Sequence, residues 1–367
     1  MEKAYKYRIY PNKTQQELIH KTFGCVRFVY NYYLDKRIKA YQENKTSLNY
    51  YDCCKDLTSL KKELEWLREP DKDSLQKSLK DLDEAYKKFF KEHSGFPRFK
   101  SKKNHKKSYR TSCTNNNIKF QNNHIKLPKL GWVKTRDAQI LQGRILNATV
   151  SQDPSGKYYC SLCCTDIEIK HLPPTNNQVG IDLGIKNFAI TSDGVKYSNP
   201  KYLQQSLNKL AKLQRELSRK TRGGSNWNKA RIKVARQYEK IRNQRHDFLQ
   251  KLSTELIKEN DIICIEDLNI SEMIQDNRKD MRRNIGDVSW CEFTRQLQYK
   301  ADWYGRIIIK VGRYFASSQI CSCCGNKFPI TKDLGVRQWI CPNCKSILDR
   351  DINAAINILN EGLKQIA

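Results

Sequence analysis

The chain has 367 residues, room for two or three domains, and its 68 Lys and Arg outnumber 39 Asp and Glu, a formal charge of +29. That excess goes beyond what solubility requires and implies salt-dependent binding of a polyanion, nucleic acid first; the rival, an anionic membrane surface, has no amphipathic anchor or lipidation signal behind it. Residues 1–11 hold no apolar h-region and no apolar run is long enough to cross a bilayer, so no membrane partner and a cytoplasmic, nucleoid-associated location are expected.

Residues 1–10 alternate, Tyr5, Tyr7 and Ile9 against Lys6, Arg8 and Tyr10, and predict a strand that Pro11 ends. Residues 14–43 predict a helix with Leu18, Phe23, Val26, Val29, Tyr30 and Tyr33 near helical spacing. A second helix is predicted over about 72–92, with Leu75, Leu79, Leu82, Tyr86 and Phe89 on one face. On its polar side Lys72, Gln76 and Lys80 stand at i, i+4 and i+8. Gln and Lys can read base edges in a major groove, though a plain solvated face has the same pattern. After Pro97 comes the densest basic run: Lys100, Lys102, Lys103, Lys106, Lys107 and Arg110. Such runs are commonly just solvated surface. Here Phe96, Phe99 and Tyr109 flank it, which suits phosphate contact plus base stacking.

Strands are predicted at Ile118–Phe120, Ile125–Leu127, Ile145–Val150 and Tyr158–Cys164. Cys160 and Cys163 fall inside the last of these. They are rejected as a metal half-site, because strand residues alternate faces and no matching pair follows. The segment from His171 reads as a linker. Val179–Leu183, Asn187–Thr191 and Val195–Tyr197 then form a meander with a turn at 192–194. A helical hairpin over 203–258 follows, broken at Gly223-Gly224. Its outer faces carry Arg215, Arg219, Lys220, Arg222, Lys229, Arg231, Lys233 and Arg236, a one-sided charge that favours a phosphate-tracking surface. Ile262–Ile265 and Ile307–Val311 are short buried strands. Three strands, a helix, a strand, a helix and a strand, with acids ending the first and fourth strands, is the ribonuclease H-like layout.

Those acids are Asp182 and Glu266. A third, Asp351, opens a helix from Ile352 to about Leu359. Strands one and four are neighbours in that layout, so Asp182 and Glu266 are expected to face each other across a strand pair, and the final helix can bring Asp351 beside them. Two Mg2+ ions about 4 Å apart can activate water and stabilise the leaving oxygen of an in-line displacement. Carboxylates suit hard Mg2+. All three acids are assigned as metal ligands, none as a nucleophile. Each alone has a plainer role: a turn residue for Asp182, helix caps for Glu266-Asp267 and for Asp351 or Asp349. Asp349 competes for the third position; Asp351 is preferred. Asp267 is read as supporting a neighbouring ligand or as structural. The polar stretch 271–289 is either a mobile lid or an ordinary surface loop.

Of 14 cysteines, four have metal-ligand spacing: Cys321-x2-Cys324 and Cys341-x2-Cys344, separated by residues 325–340. Gly325 and Pro342 suit a zinc ribbon. Four thiolates close a structural Zn2+ site, one ion needed to fold 320–345 and taking no part in hydrolysis. Cys323 points away by spacing. The other cysteines are expected to be thiols.

Tyr-Pro-Asn-Lys-Thr-Gln (10–15), Phe-Gly-Cys-Val-Arg-Phe-Val-Tyr-Asn (23–31), Gly-Phe-Pro-Arg-Phe-Lys (95–100), Gly-Ile-Asp-Leu-Gly, Ile-Glu-Asp-Leu-Asn, Cys-Ser-Cys-Cys-Gly and Asp-Arg-Asp-Ile-Asn-Ala-Ala-Ile-Asn-Ile together resemble the TnpB family. Its members are transposon-encoded RNA-guided DNA endonucleases, relatives of type V CRISPR effectors. The resemblance spans essentially the whole chain. It implies an α/β plus α+β architecture: a ribonuclease H-like (RuvC) nuclease domain with an inserted zinc ribbon, and a wedge-like β-barrel with an inserted helical recognition lobe. On that pattern residues 1–10 and 101–172 form the barrel and 11–100 the lobe. Residues 173–318 and 347–367 form the nuclease, with 319–346 as the ribbon. The resemblance also implies a guide RNA from the transposon end, a double-stranded DNA target next to a short motif, and one protein monomer per RNA. Asp182, Glu266 and Asp351 match the family's catalytic acids, so the chain is expected to cut. The alternatives are an unguided nuclease or transposase of the same fold and a non-cleaving guided repressor.

Overall fold

The computed structural model describes residues 1–136, 140–329 and 335–366. Residues 330–334, within the expected ribbon, 137–139, within the expected barrel, and 367 lie outside the described residues. The chain divides into two compact units, Met1–Glu168 and Ile169–Ala367.

In the first unit, β1 (Lys3–Tyr10) leads into three helices: α1 (Lys13–Asn44), α2 (Tyr50–Glu63) and α3 (Lys72–Glu92). Six strands follow: β2 (Lys107–Ser112), β3 (Lys119–Gln121), β4 (His124–Leu127), β5 (Gly131–Thr135), β6 (Arg144–Gln152) and β7 (Tyr158–Thr165). They form one antiparallel sheet in the order β2-β6-β7-β1-β5-β4-β3. Asn12 and Gln15 cap α1 reciprocally, and the Gln15 amide also donates to the Leu130 and Trp132 carbonyls. That ties the first helix to the sheet. Leu75, Leu79 and Leu82 are buried on one side of α3, at the predicted spacing. The start of α3 is pinned to β2: Thr111 Oγ1 donates to Asp71, and the Ser112 amide to Asp73.

Sequence patterning did not separate out α2, β2 or β5. In β2 the buried positions are Tyr109 and Thr111, and the surrounding charge hides the alternation. The α2 start did carry a signal, because Asn49 and Asp52 form a capping box.

The second unit holds the site. Its strands are β8 (Gln178–Leu183), β9 (Asn187–Thr191), β10 (Lys196–Ser198), β11 (Ile262–Glu266) and β12 (Ile307–Val311). Helices α4 (Tyr202–Ser218) and α5 (Ser225–Glu259) make the hairpin. Helices α6 (Ile270–Gln275), α7 (Lys279–Val288) and α8 (Trp290–Tyr304) separate β11 from β12. A two-stranded ribbon, β13 (Gln338–Ile340) with β14 (Ile347–Asp349), precedes the final helix α9 (Arg350–Leu363). The five-stranded order is β10-β9-β8-β11-β12, with β8, β11 and β12 parallel.

Alternation sends the strand side chains to two cores. Val179, Ile181, Ile263 and Ile265 pack with Leu252 and Leu256 of α5 and with Phe293 and Leu297 of α8. Cys264, Ile309 and Val311 face the other way, onto Ile358 of α9. Two glycines let α9 approach. A Cβ on Gly180 would collide with the Ala355 carbonyl and the Leu359 backbone nitrogen; one on Gly362 would collide with the Cys264 thiol. Gly180→Ala is therefore expected to cost at least the ~1–3 kcal/mol of ordinary overpacking, since its obstacles are backbone atoms. Thermal melting of the full chain checks this.

Candidate active site

The register of β8 and β11 builds the first half of the site. Ile181 pairs with Ile265, so Asp182 and Glu266 are the next residues on neighbouring parallel strands. Both lie on the α9 side by alternation, two residues beyond Gly180 and Cys264. Asp351, in the first turn of α9, completes the cluster. All three are partly buried. Burial, and then the charges of Glu266 and Asp351, push the Asp182 carboxyl up to about 8, with Arg350 pulling the other way. Burial also raises Glu266, against a hydrogen bond from Ser317. A buried carboxyl whose ionisation two neighbouring carboxylates oppose marks a cation-seeking set.

Asp349 has a different task. It caps α9, accepting from the amides of Asp351 and Ile352, and pairs with Lys196 of β10 at 2.6 Å. Burial works against its ionisation, but the Lys196 pair and the two amides outweigh it and hold the group below the usual range. Its oxygens are thus engaged in fixing the helix start, leaving Asp351 to face the cluster. Asp267 pairs with Arg313 at 3.4 Å, half-exposed.

A cleft of about 560 Å³ opens onto Asp182 and Asp351. Lys186, Lys201, Arg337 and Arg350 line it, giving an acidic floor and basic walls. Arg337 approaches Asp351 at 3.3 Å. Arg350 is buried, and its Nε has no hydrogen-bond partner among the described residues. Neither arginine was singled out from the sequence, although Arg350 stands between the two candidate acids of Asp-Arg-Asp. The stretch 271–289 is helical: Met273 of α6 and Met281 and Asn284 of α7 form one side of the cleft.

The four cysteines meet. Cys321 and Cys344 sulfurs lie 3.6 Å apart, as do those of Cys324 and Cys341, and all four fall within 4.8 Å of one another. A tetrahedron with Zn–S near 2.3 Å requires S···S of about 3.8 Å, so the cluster fits zinc. Cys323 is exposed. Cys160 is buried in β7 and Cys163 lies on the opposite face, with no second pair beside them among the described residues.

The candidate nucleic-acid contacts at 72–110 lie in the first unit, and the basic residues of the helical hairpin, Arg215 to Arg236, in the second. Lys72 is exposed, Gln76 half-buried, and the Lys80 ammonium sits 5.3 Å from the Tyr50 ring. Lys102, Lys103 and Lys106 are exposed between α3 and β2. Lys107 and Arg110 belong to β2, and Arg110 pairs with Asp81 at 3.0 Å. Tyr109 cannot stack on a base, because it is buried edge-on against Phe23. Phe96 and Phe99 remain exposed.

A family model described as "Probable transposase" matches residues 161–277, and a "Cas12f1-like, TNB domain" model matches 290–358. A "Helix-turn-helix domain" model matches residues 1–46, which here form β1 and the single continuous helix α1. A Streptomyces pristinaespiralis protein named "Putative RNA-guided DNA endonuclease" is 38% identical, over 99% of this chain and 90% of its own. The Escherichia coli K12 protein "Putative RNA-guided DNA endonuclease InsQ" is 32% identical, over 98% and 92%. A solved Cas12f1–sgRNA–target DNA complex aligns over 98% of this chain and 99% of its own, at 17% identity and a TM-score of 0.36, too low to establish a common fold. Identity of 38% and 32% along nearly the full length of the Streptomyces and Escherichia proteins places the chain in their family: it belongs to the TnpB-like RNA-guided DNA endonucleases.

Proposed function

We propose that the chain is a transposon-associated, RNA-guided endonuclease that cuts double-stranded DNA next to a short motif, by Mg2+-dependent hydrolysis at Asp182, Glu266 and Asp351. The observation that carries the chemistry is the convergence of these acids from two adjacent strand ends and a helix start. Bound Mg2+ supplies activation of the attacking water and neutralisation of the leaving oxygen. The three carboxylates hold the metal and stay uncombined with substrate. Arg350, with its buried unpaired Nε, and Arg337 offer positive charge to a phosphate entering the cleft. Lys186 and Lys201 extend that charge along the strand's path.

The order β10-β9-β8-β11-β12, with acids ending the two central parallel strands, supports a ribonuclease H-like (RuvC) domain over 173–318 and 347–367. The four-cysteine cluster supports a zinc ribbon over 319–346. The antiparallel sheet with helices between β1 and β2 supports a wedge-like barrel, 1–10 with 101–172, around a recognition lobe at 11–100. The charge of +29 and the names of the relatives support a guide RNA and a DNA target as partners; one monomer per RNA is part of the proposal.

Lys102, Lys103 and Lys106 contact phosphates in this reading. Replacing all three with Ala is expected to weaken binding to every sequence alike and to flatten the salt slope by about one per lysine. Filter binding across a salt series measures it; a loss confined to one target sequence would contradict it. Lys72, Gln76 and Lys80 are the candidate motif readers.

Sequencing the RNA that co-purifies from the native locus tests the guide. One discrete species mapping to the transposon end, with a short variable 3′ tail, is expected. Heterogeneous fragments would favour an unguided enzyme. The "Probable transposase" description raises that second reading; joined DNA ends among the products would identify it.

A further inference from the structure

The acid cluster and the cysteine cluster are joined through one short stem, residues 317–322. Ser317 is buried, and its hydroxyl donates to Glu266 Oε1 at 2.6 Å. Its carbonyl accepts from Asn357 Nδ2 of α9 at 2.8 Å. The Ile320 carbonyl, next to the ligand Cys321, accepts from both Asn353 Nδ2 (2.7 Å) and Asn357 Nδ2 (2.6 Å). The Ser322 amide, on the other side of Cys321, donates to Asn353 Oδ1 at 2.8 Å. Asn353 and Asn357 are one turn apart on the helix that carries Asp351, and both are buried. The stem therefore grips the Glu266 side chain with one group and the Asp351 helix with three others. Asn353, donating to a carbonyl and accepting from an amide, has one amide orientation that satisfies both, and Asn357 spends its amide nitrogen on two carbonyls.

We propose that Ser317, Asn353 and Asn357 are positioning residues that couple the cysteine module to the acid cluster, so that the folded module sets the separation and orientation of Glu266 and Asp351. This rests on the reading of the three acids as metal ligands. It departs from the expectation that zinc bears on folding alone. The stem would act as the outer shell of the acid site, and partners of that kind are worth about 10–100-fold in metal affinity or activity.

The test uses the full chain as wild type, Ser317→Ala, Ser317→Thr, Asn357→Ala and Asp182→Ala. Three quantities are measured: Mn2+ affinity by electron paramagnetic resonance, zinc content by atomic absorption, and single-turnover cleavage with the co-purified RNA. Ser317→Ala is expected to lose about tenfold in Mn2+ affinity and in cleavage rate, with zinc retained. Ser317→Thr, which keeps the hydroxyl, should recover most of that loss. Asn357→Ala should weaken Mn2+ binding by a similar factor. Wild-type Mn2+ affinity in Ser317→Ala overturns the proposal, and so does loss of zinc in that variant, which would make the residue part of the module's fold alone. If Asp182→Ala binds Mn2+ as the wild type does, the acid-site reading itself fails.

Discussion

Asp182→Ala is expected to reduce DNA cleavage by about 10^3-fold or more while leaving RNA and DNA binding in place. Asp182 ends a strand whose pairing does not depend on its side chain, so the fold survives. What disappears is the carboxylate whose ionisation both of the others oppose. The isosteric Asp182→Asn should in addition stabilise the metal-free protein. Burial and the neighbouring Glu266 and Asp351 charges raise the Asp182 carboxyl to about 8. A carboxyl whose folded pKa lies above its unfolded one binds the extra proton in the native state, so stability falls as pH rises between the two values. In chelator, the stability advantage of Asp182→Asn over wild type should therefore widen from about pH 4 to pH 8. A variant dead in cleavage and more stable without metal is the signature of a site held for function at a stability cost. Unchanged cleavage products from Asp182→Ala would remove the acid from the mechanism.

Removing zinc, or replacing Cys341 with Ser, is expected to have the second largest effect. Among the described residues, the segment from Cys321 to Asp349 has a small core, chiefly Trp339 with Phe328 and Leu348, too little to fold alone. Its strand β14 ends at Asp349, which is also the cap of α9. The Arg350 amide donates to the Arg337 carbonyl, and Arg337 reaches Asp351. Unfolding the module therefore releases the start of the helix that carries the third acid. Cys341→Ser should abolish zinc binding, expose the 319–349 segment to protease, and lower cleavage by about 100-fold. Cys323→Ser, at an exposed position outside the cluster, should keep both zinc and cleavage. Proteolysis followed by mass spectrometry distinguishes the two.

The site was more legible in the sequence than the scaffold around it. Asp182 and Glu266 follow runs of buried aliphatic residues, and short apolar strands ending in an acid stand out in so charged a chain. The cysteine spacing was as clear. The choice between Asp349 and Asp351 was harder, because both open the same helix; it is the Lys196 pair, 153 residues away, that occupies Asp349. Ser317 was invisible for the same reason. Nothing near it in sequence marks a residue whose partners are Glu266 and Asn357. In the first unit, β2 lay hidden in the basic run and Tyr109 looked like a stacking ring. Its place in the strand alternation, facing Phe23, put it in the core. Local pattern finds residues whose role is set by their neighbours in sequence. It misses those whose role is set across the fold.

The central claim is that a guide, not the protein surface, chooses where these three carboxylates cut. The most direct test replaces the variable 3′ tail of the co-purified RNA with a new sequence. The plasmid products are then mapped in Mg2+. The cut is expected to move to the matching site beside the same short motif, and to disappear when either the RNA or Mg2+ is withheld. Cutting that stays at the original site, or proceeds without RNA, would contradict it.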